Sequence, residues 1–360
     1  MRNLTVLILG LIIFACKPNI KKTEQPVRHR FFSDDSFWNQ PIPDNAETDS
    51  LSSYYISLLK TDPSKKNFGI NLTNYTIPIY EVNKNTPKHK VGHYKLTSED
   101  KSGWKTNRDF FGHSKEFDAD SVPIPVEAYS SPGEDRHLAV IDWKTNTAWD
   151  MWAAVKQNDG TWRSNTGMKY SLNGNGVFNT DDLEIENGES VHFHGPGRAA
   201  GVPIIAGLIL LDEVKAGEIK HKIAAATHFN AFQEFVFPAA WTDGMLEEGI
   251  PEGAVIQLDP KLDLSRFDLL PGEIVIAKAL QNYGMVVVDN AGASVLYGEF
   301  QDKLRNKSWE GIAREWSGGI TDIPLDNYRV IKLGKVIKKG DIKGHFKKGV
   351  VPDFNSLVVR

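Results

Sequence analysis

Cys16 is the only cysteine in this 360-residue chain. No intrachain disulfide can therefore staple the fold, and its stability has to come from a packed core. The position of Cys16 explains why it stands alone. Met1-Arg2-Asn3 is a positively charged start, residues 4–14 are an almost unbroken apolar run, and Ala15 sets a small residue directly before the cysteine. About eleven apolar residues are too few to cross a hydrocarbon layer of about 30 Å as a helix, but they suit the apolar region of a secretory signal. The closing cysteine has the placement of a bacterial lipoprotein signal, with Cys16 as the lipidated first residue of the mature chain. The expectation is an extracytoplasmic protein anchored by lipid to the bacterial envelope, at the outer membrane or cell surface, with residues 1–15 removed.

Residues 16–30 are polar and aperiodic and read as a tether. Residues 31–360 are expected to form a single β-rich domain, with 332–360 a basic tail or surface hairpins. Forty-two basic against forty-six acidic residues give a formal charge of −4, which argues against a nucleic-acid partner. No later segment reaches membrane-spanning length, the longest apolar stretch being 202–211 with Pro203 inside it. Neither a Gly-x-Ser-x-Gly elbow, a phosphate-binding loop nor a dinucleotide fingerprint is present, so no nucleotide cofactor is expected.

Apolar patterning predicts strands over residues 67–82, 122–129, 137–142, 148–155, 202–211, 219–227 and 255–258. Trp143-Lys144-Thr145-Asn146-Thr147 reads as a hairpin connection. Residues 285–289 and 294–297 read as a second hairpin, turning at Asn290-Ala291-Gly292. Helical spacing covers 49–60, capped by Asp49 or Ser50, and 272–283, opened by Pro271 and stopped by Gly284. A turn or short helix is expected over 212–218 and a long surface insertion over 83–120. The class that follows is mainly β with a few helices (α+β), with a β-sandwich or jelly-roll-like core and long loops.

Nine Trp, ten Tyr and eighteen Phe matter because many sit beside carboxylates, amides or turns. Trp104, Trp143, Trp149 and Trp162 are candidate sugar platforms, although tryptophan packs cores equally well. Glu134-Asp135-Arg136-His137 stands at the mouth of an apolar strand. On that strand His137 shares a face with Ala139 and Ile141 while Asp142 lies on the other, so Asp150 across the hairpin is the better partner. A histidine among carboxylates can shuttle protons near neutral pH; a structural Asp-Arg-His turn is the plainer alternative.

His192-Phe193-His194 points two imidazoles one way. They are either two legs of a metal site, with His113, His137 or His228 as a third, or a base beside Arg198. The latter pairing, with Arg198 neutralising a carboxylate and Tyr170 as the acid, is what β-elimination from a uronic acid requires. Glycosidic hydrolysis needs two carboxylates instead, and Asp135, Asp142, Asp150 and Glu127 lie nearest the aromatic strands. The stretch from Ser171 to Asp182 echoes a calcium loop, its ligand positions falling on Ser171, Asn173, Asn175, the Val177 carbonyl, Asn179 and Asp182. Ca²⁺ is the one cofactor this spacing suggests; with a single carboxylate among the ligands, an ion-free Asn-Gly turn explains the stretch as well.

Several blocks together resemble a group of uncharacterised secreted bacterial proteins. They are Phe32-Ser33-Asp34-Asp35-Ser36-Phe37-Trp38-Asn39-Gln40-Pro41-Ile42-Pro43, the run from Asp135 to Asp142, that from Ala200 to Leu208, that from Glu213 to His221, and that from Ala279 to Asp289. The resemblance covers roughly residues 32–300 and departs at His192-Phe193-His194. It implies secretion and one continuous domain, and no catalytic residue comes with it. The functional expectation is a carbohydrate-active enzyme cleaving an extracellular polysaccharide. Its chemistry is elimination on a uronic-acid glycan or, alternatively, hydrolysis by a carboxylate pair. A non-catalytic glycan-binding lipoprotein is the reading outside enzymes. The expected partners are the polysaccharide and, through Cys16, a membrane.

Overall fold

In a computed structural model of the chain, residues 30–64, 67–93, 113–177, 184–186, 189–192 and 197–338 are described. Runs with a two-residue period become strands whose two faces sort into different cores. These strands are β1 (Gly69–Asn71), β2 (Ile79–Glu81), β3 (Leu138–Asp142), β4 (Thr147–Trp152), β5 (Thr166–Ser171), β6 (Ile223–Thr227), β7 (Asn230–Phe235), β8 (Ile250–Glu252), β9 (Val255–Leu258), β10 (Met285–Asn290), β11 (Val295–Tyr297) and β12 (Tyr328–Val330). A six-stranded mixed sheet has the order β1-β11-β6-β10-β9-β12, and a four-stranded sheet the order β5-β4-β3-β2. β8, β7 and Ile337–Lys338 form a third, and shorter ladders join the remaining strands.

The helices are α1 (Ser52–Leu59), α2 (Lys115–Ala119), α3 (Leu211–Lys215) and α4 (Pro271–Asn282). In α4, Pro271 occupies the first turn and Glu273 reaches back to accept the Leu270 N–H at 2.7 Å. Gly284, at φ +73°, ends it. Tyr55, Ile56 and Leu59 of α1, Val214 of α3 and Ile276 and Leu280 of α4 pack on Ile223, Ala225, Met285 and Val287 of the large sheet. The alternate residues Ala224, Ala226, Val286 and Val288 face the other way. There they meet Ala139, Ile141 and Ala148 of the four-stranded sheet, with Ile204 and Ile205 between. Leu138, Val140, Trp149 and Met151 look outward to a third core with Phe117, Ile124 and Trp162.

The chain is thus mainly β with four α-helices among the described residues. Four local expectations change. Residues 122–129 keep a strand only at Val122–Pro123, and the Ala128 N–H closes a turn on the Pro125 carbonyl. Residues 67–82 break into β1 and β2, which join different sheets. Residues 285–297 are no hairpin, because β6 inserts between β10 and β11, parallel to the first and antiparallel to the second. Residues 202–211 are buried but hold no long strand: Gly201 and Gly207 take φ +67° and +70°, and Pro203 and Ile205 carbonyls close successive turns.

Candidate functional site

The middle apolar layer contains a band of buried polar side chains. Asp150 shares a face of β4 with Ala148, and Tyr170, diagonally across the β4–β5 ladder, is within reach of it. Asp150 is fully buried, and its Oδ2 accepts the Ile204 N–H at 2.7 Å. Burial pushes this carboxyl up to about 7, with the nearby Tyr170 hydroxyl, the Ile204 N–H and the Arg198 charge opposing.

Arg198 is the hub. Its side chain has no exposed surface, Nη1 meets Asp289 Oδ2 at 2.8 Å, and Nη2 donates to the Ile204 carbonyl at 2.8 Å. The guanidinium lies 4.0 Å over the Tyr297 ring. Asp289 Oδ1 accepts the Ala199 N–H at 2.8 Å. His137, directly before β3, is buried, and its N–H donates to Ser131 Oγ at 2.9 Å. Burial, helped by Arg198, pushes its imidazole down to about 4, so it is neutral at neutral pH. Neither His137 Nδ1 nor Arg198 Nε has a hydrogen-bond partner among the described residues. Asp135 is half-buried, and burial raises its carboxyl while the Trp152 Nε1–H, 3.4 Å away, opposes.

The band continues through residues that sequence reasoning missed. Asn230 Nδ2 donates to the Asp289 carbonyl at 2.7 Å and to Glu252 Oε1 at 2.8 Å. Glu252 is hydrogen-bonded to Asp243, which accepts the Asn290 N–H at 3.2 Å. Burial raises both carboxyls; the Asp243 charge raises Glu252 further, while the hydrogen bond from Glu252 opposes the rise at Asp243. Only Asp289 carried a signal, an acid ending an otherwise apolar strand.

Asp135, His137, Asp150, Tyr170 and Arg198 therefore converge from separate stretches of chain. Other candidates lie apart. Arg136 is exposed, and Asp142 accepts the Lys144 and Thr145 N–H groups in the hairpin turn. Trp149 and Trp162 are core residues, 5% and 1% exposed, so neither offers a face to a sugar. Trp143 is half-buried and stacks on Phe31 at 5.5 Å. Asn173 donates its N–H to Ser171 Oγ, and Asn175 Oδ1 accepts from the Val177 N–H, so these groups already close turns. His113 is held by Asp118 at 2.7 Å and Ser164 Oγ at 2.9 Å. His192 ends a short strand whose side chains are not described; Cys16, Trp104, Asn179, Asp182 and His194 lie outside the described residues. Among the described residues no group of three or more His, Cys, Asp or Glu is placed to hold a metal ion, and no helix is long and apolar enough to cross a membrane.

No protein-family model, curated protein or solved structure matches this chain.

Proposed function

We propose that this chain is a secreted, lipid-anchored enzyme that cleaves an extracellular polysaccharide by acid–base hydrolysis. Asp135, the half-exposed carboxyl of the band, is the acid. The observation that carries this reading is a carboxyl that burial raises, within the field of the buried Arg198 guanidinium, yet still partly open to solvent. A carboxyl raised by burial holds its proton for a leaving group. Asp135 gives its proton to the leaving glycosidic oxygen, and a water that loses its own proton takes the sugar carbon. Elimination on a uronate is the lesser reading, because Arg198 spends both terminal nitrogens inside the fold.

The test incubates the full mature protein, in detergent, with neutral and acidic polysaccharides. Reducing ends without ultraviolet-absorbing unsaturated ends support hydrolysis, and Asp135→Asn should lower that rate by about 100-fold or more. Both signals together would establish elimination. Neither signal, with binding retained, would leave a glycan-binding lipoprotein.

A further inference from the structure

We infer that the face formed by Phe37 and Phe237 lies on an anionic lipid bilayer, an assignment that rests on the lipid-anchored part of the proposed function. Phe237 is 58% exposed. It stands at the corner of a turn that the Ala239 N–H closes on the Val236 carbonyl at 2.9 Å. Its ring meets the half-buried Phe37 edge-on, with centroids 5.2 Å apart. Phe37 is fixed in turn by the buried Lys222, whose Nζ donates to the Phe37 carbonyl at 2.9 Å and lies 4.5 Å from the ring centroid. A phenyl ring held outward on such a support gains by leaving water for the interfacial layer of a membrane.

Both terminal segments join the folded body beside this face. Residues 16–30 lead into Phe31, and Asn39 Nδ2, two residues from Phe37, donates to the Phe31 and Ser33 carbonyls at 2.9 Å. Residues 339–360 follow Ile337–Lys338, where Ile337 pairs with Phe235, two residues before Phe237. Residues 16–30 carry five basic residues against one acid, and residues 339–360 carry five against two. The body between them, residues 31–338, carries 31 basic and 43 acidic residues. The formal charge is thus +4 and +3 at the two attachments and −12 between them. Asp34 and Asp35, exposed in the loop after Phe31, offset two of the positive charges. Basic segments flanking an exposed aromatic ring fit negatively charged headgroups, which repel the acidic body, so both effects turn the same face to the membrane. The fifteen residues from Cys16 to Arg30 extend to at most about 50 Å, which keeps this face within reach of the bilayer that holds the lipid.

The test uses the full mature protein reconstituted in vesicles of phosphatidylethanolamine and phosphatidylglycerol. A lipidated Cys16 has no free thiol, so Phe237→Cys and Leu304→Cys each give one position for an environment-sensitive fluorophore. Leu304 is 89% exposed and sits beside β2, where Arg305 donates to the Ile79 carbonyl. Lipids bearing a doxyl quencher should dim the label at Phe237 by about two-fold or more relative to that at Leu304. Salt at about 0.5 M, which shortens the Debye length to roughly 4 Å, should reduce that ratio, as should phosphatidylcholine in place of the anionic lipid. Equal quenching at both positions, or none at Phe237, overturns the assignment. A Phe237 label shielded from aqueous iodide but not quenched by lipid overturns it too, and shows that another part of the chain covers the face. Protein without acyl mass that still gives the Phe237-specific quenching sinks the lipid anchor and leaves this face standing, since any label on Cys16 is common to both variants. Acylated protein without that quenching does the reverse.

Discussion

The Ile204 N–H donates to Asp150 Oδ2 at 2.7 Å, tying the turn after Gly201 to a strand 54 residues earlier in the chain. Arg198 holds the same turn from its other side, through the Ile204 carbonyl at 2.8 Å, while Asp289 fixes Arg198. The placement of the Asp150 proton thus depends on a hydrogen-bonded chain running Asp289, Arg198, Ile204, Asp150. Each link joins a different segment, so the carboxyl is positioned by tertiary structure rather than by its own hairpin.

The Asp150 carboxyl is raised from 3.8 to about 7. Between those values the native state holds more protons than the unfolded chain, so its contribution to stability falls as pH rises. His137 has the opposite sign: its imidazole drops from 6.5 to about 4, and its contribution falls as pH is lowered through that window. Asp150→Asn keeps an oxygen for Ile204 and removes only the first effect. The variant should gain on the wild type from pH 4 to 7, reaching on the order of 4 kcal/mol at about 1.4 kcal/mol per unit. Urea melts across pH 4–8 measure this; a difference independent of pH would show that Asp150 ionises normally.

The β3–β4 hairpin was legible because apolar alternation and a turn of Trp143 to Asn146 lie within one short stretch. The convergence of Asp135, His137 and Asp150 was partly legible for the same reason, since the hairpin ladder sets Ala139 opposite Asp150. The insertion of β6 between β10 and β11 left no local trace, since each strand alone looks like any buried run. Residues 202–211 misled because burial and strand conformation give the same apolar pattern, while the positive φ at Gly207 breaks the strand. Asp243 and Glu252 were missed because their pairing depends on the positions of β8 and the loop before it. Trp149 and Trp162 were visible as aromatic residues, but which face they occupied was not.

Arg198→Met should cost about 3 kcal/mol, because it leaves the Asp289 carboxylate, whose side chain is only 14% exposed, without its guanidinium. Adding Asp289→Asn should recover part of that loss, since the amide carries no stranded charge. Thermal melts of the two single variants and the double variant give the coupling. Strict additivity would mean that the pair contributes nothing as a pair.

Gly253 sits at φ +91°, and a Cβ there would lie 1.8 Å from the Val236 carbonyl oxygen. The obstacle is backbone, held by the ladder in which the Val236 N–H donates to the Glu252 carbonyl. Gly253→Ala should therefore cost roughly 3 kcal/mol or more, strain and clash together. Gly217, at φ +86° with nothing within 4 Å, is the control. Gly217→Ala should cost about 1 kcal/mol from conformation alone. Equal losses in denaturant melts would remove the argument from close packing.

The lipoprotein reading makes the last prediction, on a residue outside the described part of the chain. An acyl chain contributes about 0.8 kcal/mol per buried CH₂ to membrane attachment, and more than one chain is needed for stable anchoring. The mature wild type should begin at Cys16, carry acyl mass on that residue and partition into the detergent phase. Cys16→Ser should lose the acyl mass and the cleavage before residue 16, and accumulate as a precursor with its apolar run intact. Intact-protein mass spectrometry and metabolic labelling with a radioactive fatty acid read both. Acylation surviving Cys16→Ser would place the anchor elsewhere, and a mature chain cleaved at another residue without acyl mass would make the segment an ordinary secretory signal.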